Sequence, residues 1–163
     1  MKLPATLALF LFTGFSVAAQ VPDYESVPLH SNADFKQAES TLLAAANYVL
    51  SVPLDNTGED RLKSLQFVLK WMTGTPDYSF SLDPNLLKYF KKNDDLLGVF
   101  MAAQSKYAVE NNVKNGEQHK VNVNALAAIV AYCENPANNV KQTKQIKDLI
   151  EAKANGGLDK MIN

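Results

Sequence analysis

From Ser31 onward, apolar residues recur at steps of three and four, and no two alternating runs exist that could pair as strands. This period is that of a helix with one face turned inward. The stripes are Phe35, Ala38, Leu42, Ala45 or Ala46, and Val49; then Leu62, Leu65, Val68, Leu69 and Met72, widened by Phe67 and Trp71. Further along come Leu96, Phe100, Ala103 and Tyr107; then Val123, Leu126, Ala127, Val130 and Cys133; and last Val140, Ile146, Leu149 and Ile150. The helix carrying Phe67 and Trp71 is apolar over much of its circumference, which predicts a central place for it. A single period-two run, Tyr78, Phe80 and Leu82 between Ser79 and Ser81, has no partner. A lone strand is unstable, so it reads as an extended loop packed on helices. The expected fold is all-α: an irregular antiparallel bundle or a short stack of helical hairpins, with four to five long helices plus a short one and no sheet.

Local chemistry marks the boundaries. Ser31 or Asn32 caps the first helix, Ser31 with Asp34 three residues on resembles a capping box, and Val52 before Pro53 stops the helix. Asn56 or Thr57 caps the second, with Glu59 and Asp60 in its first turn, where the helix dipole favours negative charge. Gly74 fits the left-handed position past its end. Asp83-Pro84 is a cap followed by proline at the first helical position, opening a short helix to about Lys91. Asn93 caps the next, and a helix follows from about Val121 to Glu134. Asn135-Pro136 repeats the cap-proline pattern, so the last helix is expected to follow with almost no connecting loop. Gly156-Gly157 ends it, and Leu158, Met161 and Ile162 are placed to tuck back onto the body.

The N-terminus has a separate logic. Met1-Lys2 precedes an apolar run from Leu3 to Phe15, and Val17-Ala18-Ala19 offers small residues at a cleavage site. This is the layout of a secretory signal peptide; the run is short for a span of about 20 residues. The expected organisation is a signal peptide at 1–19, an extended arm at 20–30 and one helical domain at 31–163. Removing nineteen of 163 residues leaves 144, a chain that buries about 70% of its unfolded surface and needs no disulfide staple. Secretion to the periplasm or beyond is the expected destination.

Composition excludes several functions. Sixteen basic and 17 acidic residues give a net charge of −1, unlike the basic excess of a general nucleic-acid binder. One cysteine forms no internal disulfide, and one cysteine with two histidines builds no four-ligand zinc site unaided. No glycine-rich phosphate cradle is present, so no cofactor is expected. Cys133 falls on an apolar stripe, where a thiol is a small buried hydrophobe of low reactivity. His119 lies fourteen positions before it, about 20 Å along a helix, so the two form no dyad. His30 sits beside the arm. The carboxylate pairs Glu59-Asp60 and Asp94-Asp95 are explained by first-turn placement. Lys141, Lys144 and Lys147 lie opposite Ile146, Leu149 and Ile150, interleaved with Asp148 and Glu151. That reads as a solvated face rather than a membrane-contacting one.

The segment 71–90 concentrates Trp71, Tyr78, Phe80, Tyr89 and Phe90 beside a loop. Clustered aromatics of this kind either pin a loop to the core or form a contact site. The candidate site residues are Trp71, Asp77, Tyr78, Phe80 and Tyr89, for a partner or a small molecule. Asp77 or Asp83 nearby supplies the carboxylate for a hydrolase reading.

The strings LKSLQFVLKWMTGTPDYSF (62–80), NDDLLGVFMAAQSKY (93–107) and AYCENPANN (131–139), with fifteen Asn residues and an Ala-Gln signal end, resemble a group of small secreted helical proteins of Bacteroidota. The resemblance implies the compartment and the helical class and brings no catalytic residue. The function expected on these grounds is a non-enzymatic interaction or structural module of the cell envelope, its partner another envelope protein. A small-molecule binder using segment 71–90 comes second, and a hydrolase using Asp77 and Asp83 third.

Overall fold

The computed structural model describes residues 22–91 and 93–162; the signal-peptide reading of 1–19, with Gln20 and Val21, lies outside them. Among the described residues there are seven α-helices and no strand, so the all-α class holds. They are α1 (Asn32–Gln37), α2 (Glu39–Ser51), α3 (Glu59–Gly74), α4 (Pro84–Phe90), α5 (Asp94–Glu110), α6 (Gln118–Glu134) and α7 (Lys144–Ala154). Hairpin α2–α3 joins hairpin α5–α6 through α2 against α5, and α7 packs on α6. Helix α5 is the centre: it touches α2, α3, α4 and α6, and Leu96, Val99, Phe100, Ala102, Ala103 and Ala108 are all buried along it.

That centre was expected at α3. The core face of α3 is instead Ser64, Phe67, Val68, Trp71 and Met72, while Leu62 is 56% exposed and Leu65 and Leu69 are half-buried. An aromatic ring buries roughly 150–250 Å², so turning Phe67 and Trp71 inward outweighs leaving one leucine in water.

The capping predictions split. The Ser31 hydroxyl accepts from the Asp34 amide at 3.3 Å, and the Asp34 carboxylate accepts from the Ser31 and His30 amides, each at 2.9 Å. Those two amides, His30 first, hold the Asp34 carboxyl below its usual range. Asp83 accepts from the Asn85 amide at 2.8 Å, with Pro84 at the first helical position. Helix α3, by contrast, is capped by Gly58 with no side-chain bond, and Asn56 folds onto the Gly58 amide at 2.7 Å as a turn residue.

Two expected continuities are broken. The first helix turns at Ala38 and restarts as α2. The Phe35 carbonyl, whose helical partner would be the amide of Glu39, accepts instead from Trp71 Nε1 at 3.0 Å. After α6, the Asn135 side chain caps only a 3-10 turn, Pro136–Asn138, which ends at Asn139 with φ +52°. Helix α7 therefore begins at Lys144, capped by Thr143, and Val140 is buried from the connector rather than from α7. At the far end of α7, Gly156 takes φ +64°. Its amide bonds Lys153 O while that of Gly157 bonds Ala152 O, a Schellman closure. Leu158 and Ile162 then bury themselves as expected.

The N-terminal arm is not wholly extended. Asp23 caps a 3-10 turn at Tyr24–Ser26, and this strap packs on α3. Tyr24 stacks on Phe67 with centroids 4.9 Å apart and planes at 22°.

Candidate functional site

Segment 71–90 is drawn inward. Trp71 is fully buried at the end of α3, with the ring of Tyr78 5.6 Å away and that of Phe80 6.4 Å away. The structure thus brings Trp71, Tyr78 and Phe80 together, as a packed cluster holding the extended loop. Tyr78 is 4% exposed, and its hydroxyl donates to the Glu39 carboxylate at 3.3 Å. Burial, and then the Glu39 charge, push its phenol above the ordinary value. Tyr89 belongs to α4, is buried, and carries Lys88 Nζ 4.9 Å above its ring. Phe90 packs on Phe100 with centroids 5.1 Å apart.

The two carboxylates of the hydrolase reading are separately engaged. Asp77 accepts from Lys114 Nζ at 3.5 Å, and beside it the Pro76 carbonyl accepts from Asn115 Nδ2 at 3.2 Å. Both bonds fasten the loop to the α5–α6 connection. Asp83 is the α4 cap.

Cys133 is buried, and burial pushes its thiol up to about 12, with the Glu134 charge adding to the effect. His119 is exposed on α6 and hydrogen-bonds Asp159, tying the start of that helix to the C-terminal turn Leu158–Met161.

Three buried polar features went unread in the sequence. Gln104 Nε2 donates to Asn122 Oδ1 at 2.6 Å, and Gln118 Nε2 donates to the same oxygen at 2.9 Å. Gln104 also reaches Ser81 O at 3.5 Å, so one network links α5, α6 and the loop. Asn138 Nδ2 donates to Tyr132 O at 2.9 Å from inside the connector. Arg61, 7% exposed in the first turn of α3, has no hydrogen-bond partner for Nε or Nη2 among the described residues. Its charge lowers the Tyr132 phenol, but burial dominates and carries that phenol up to about 12. The signal for Gln104 and Asn122 was their place among apolar neighbours on α5 and α6. A polar residue on a stripe marks a buried bond only once its partner is known.

Two surface hollows stand out. The first, of about 450 Å³, runs between the strap and α3. Tyr24 and Phe67 line it, and the Tyr24 hydroxyl shares a hydrogen bond of 3.0 Å with Ser64. Burial raises the Tyr24 phenol above its ordinary value. Asp23, Glu25 and Asp60 face Lys63 and Lys70 around the same groove. The second, of about 410 Å³, lies between α4, α7 and the C-terminal turn, and it is the one that Tyr89 lines. Among the described residues no cluster of three His, Cys, Asp or Glu side chains is placed to hold a metal, and no helix is long and apolar enough to cross a membrane.

Compared with protein-family models, curated proteins and solved structures, the chain matches none.

Proposed function

We propose that this protein is a secreted, non-enzymatic interaction module of the cell envelope, and that it holds its partner in the groove between the N-terminal strap and α3. The observation that carries the reading is the make-up of that groove. Tyr24, half-buried where it stacks on the buried Phe67, offers aromatic surface, and charged side chains of both signs surround it. Apolar surface at the middle of a contact supplies binding energy, and a polar rim fixes orientation. Segment 71–90, the other aromatic concentration, spends its rings on the core. Asp77 pairs with Lys114, Asp83 caps α4, and Cys133 is buried, so each of the three has a structural role.

The reading has two tests. N-terminal sequencing of the exported product is expected to begin at Gln20; a product still beginning at Met1 removes the secretion arm. A photo-crosslinking residue replacing Gln66, on the groove, is expected to trap a discrete envelope protein in living cells. The same residue replacing Lys147, on the exposed face of α7, is not. Identical adducts from both positions, or none from Gln66, overturn the groove.

A small-molecule binder is the second reading, favoured by the groove's volume of about 450 Å³, which falls in the range of ligand pockets. A ligand retained in native mass spectrometry and released by Lys70→Glu would favour it over a protein partner.

A further inference from the structure

We infer that the hollow between α4, α7 and the C-terminal turn is a second binding site, for an anion carrying two or more charges on phosphate oxygens. Lys88, Lys144 and Lys160 line this one depression, and Asp148 is the one carboxylate in its lining. They come from three elements, α4, α7 and the C-terminal turn, and α4 lies more than fifty residues before the other two, so the fold and not local sequence gathers them. Lys36, Lys63, Lys106, Lys114, Lys120 and Lys153 each sit against a carboxylate within ion-pair distance. Lys88, Lys144 and Lys160 form no such pair among the described residues, nor do Lys70, Lys91, Lys141 and Lys147, but of these seven only Lys88, Lys144 and Lys160 share one hollow. Like charges converging without counter-charge repel one another, and an external polyanion removes that cost.

Shape and the remaining lining fit the same ligand. A hollow of about 410 Å³ takes one or two phosphate groups with a small attached body. Lys88 is held over the Tyr89 ring, which restrains one ammonium before binding. Lys144 and Gln145 are the first two residues of α7, so the positive end of that helix opens beside the lysines. The helix start alone would define no site; three unpaired ammonium groups around one hollow do. The phosphate belongs either to a soluble phosphorylated molecule or to a phospholipid headgroup, and both present the same oxygens.

The experiment titrates the purified full chain with inorganic pyrophosphate by calorimetry, at an ionic strength held constant with chloride. A parallel arm measures co-sedimentation with phosphatidylglycerol vesicles against phosphatidylcholine vesicles. Two double variants are compared with the parent: Lys144→Gln with Lys160→Gln in the hollow, and Lys106→Gln with Lys120→Gln elsewhere. All four positions are outside the hydrophobic core. Saturable pyrophosphate binding is expected, weakened by about tenfold or more in the hollow variant and unchanged in the other. Binding confined to phosphatidylglycerol vesicles and lost in the hollow variant assigns the headgroup as the source and still supports the site. No binding in either arm, or equal weakening in both variants, overturns it, because equal weakening is the signature of net charge alone.

Discussion

Cys133 shows how far a single position could be read. Its place on the stripe with Val123, Leu126 and Val130 put it inside a helix bundle, and inside is where it lies. Burial raises its thiol to about 12, so at about pH 8 almost none is thiolate, the reactive form. The native protein is therefore expected to react with a thiol-specific disulfide reagent far more slowly than the denaturant-unfolded chain. Rates differing by less than about tenfold would show that the helix opens or that the thiol is exposed. Arg61 was not legible in the same way. A charged residue in a first turn looks like ordinary helix-start chemistry, and only the assembled fold, which brings Arg61 near Tyr132 of α6, encloses the guanidinium. Its burial is a tertiary fact with no local signature.

At the scale of elements, caps were legible at Ser31 and Asp83, where a side chain bonds its own backbone within three residues, but Thr143, which caps α7 in the same way, was passed over for Asn135. They were misread at Asn56, where a turn used the same residue type, and at Gly74. That glycine ends α3 without leaving the helix. A Cβ added to Gly74 would lie 2.3 Å from Cζ of Phe35, so the position serves a close approach rather than a left-handed turn. Gly74→Ala gains at most about 1 kcal/mol of helix propensity and forces the Phe35 ring aside at about 1–3 kcal/mol. Net destabilisation of about 1 kcal/mol is expected in urea unfolding. In a Phe35→Ala background the clash is gone and the same substitution is expected to be neutral or stabilising. Additive effects in this double-mutant cycle would mean that the ring does not hold α3 there.

The same scale contains the loop that looked like a strand. Its alternation was real, with Tyr78, Phe80 and Leu82 more buried than Ser79 and Ser81, but what fixes it is ring packing on Trp71 and bonding to helices and to the α5–α6 connection: Tyr78 to Glu39, Ser81 to Gln104, Asp77 to Lys114. Asn122 accepts from both Gln104 and Gln118, so Asn122→Ala takes the acceptor from one N–H of the buried Gln104 amide, leaving it only the 3.5 Å bond to Ser81 O, and from the amide of the half-buried Gln118. Each orphaned donor costs about 1–3 kcal/mol. The substitution is expected to lower stability by about 2–4 kcal/mol, and to raise amide-hydrogen exchange across residues 78–82 more than in α2. Unchanged exchange in the loop would separate the network from the loop's order.

For the whole molecule, helical class followed from periodicity, but the centre of the bundle and its surface sites did not. Helix α5 lies at the middle because Gly98, Ala102, Ala103 and Ser105 let neighbours approach on several sides, a property that apolar counting passes over. The lysine hollow needed α4, α7 and the tail to meet. What buries the aromatic and sulfur groups also sets a global dependence on alkali. Tyr132 and Cys133 are each raised to about 12 in the folded chain, and Tyr24 and Tyr78 are raised as well. In the unfolded chain a phenol titrates near about 10 and a thiol near about 8.5. Above that lower value the unfolded state has released protons that the folded state retains, so unfolding becomes easier as pH rises. The stabilisation from these groups is complete below about pH 8.5 and is lost progressively towards pH 12. Urea midpoints are therefore expected to fall steeply through that window. Tyr132→Phe isolates one share of the slope. It removes the bond of 2.7 Å from the tyrosine hydroxyl to Val52 O, costing about 1 kcal/mol at neutral pH. It also removes a group that titrates only on unfolding. The variant is thus expected to be weaker than the parent at pH 7 and to converge on it near the alkaline end. Parallel curves across the window would show that Tyr132 ionises as freely in the folded protein as in the unfolded one, and that its hydroxyl is not shielded between α6 and the end of α2.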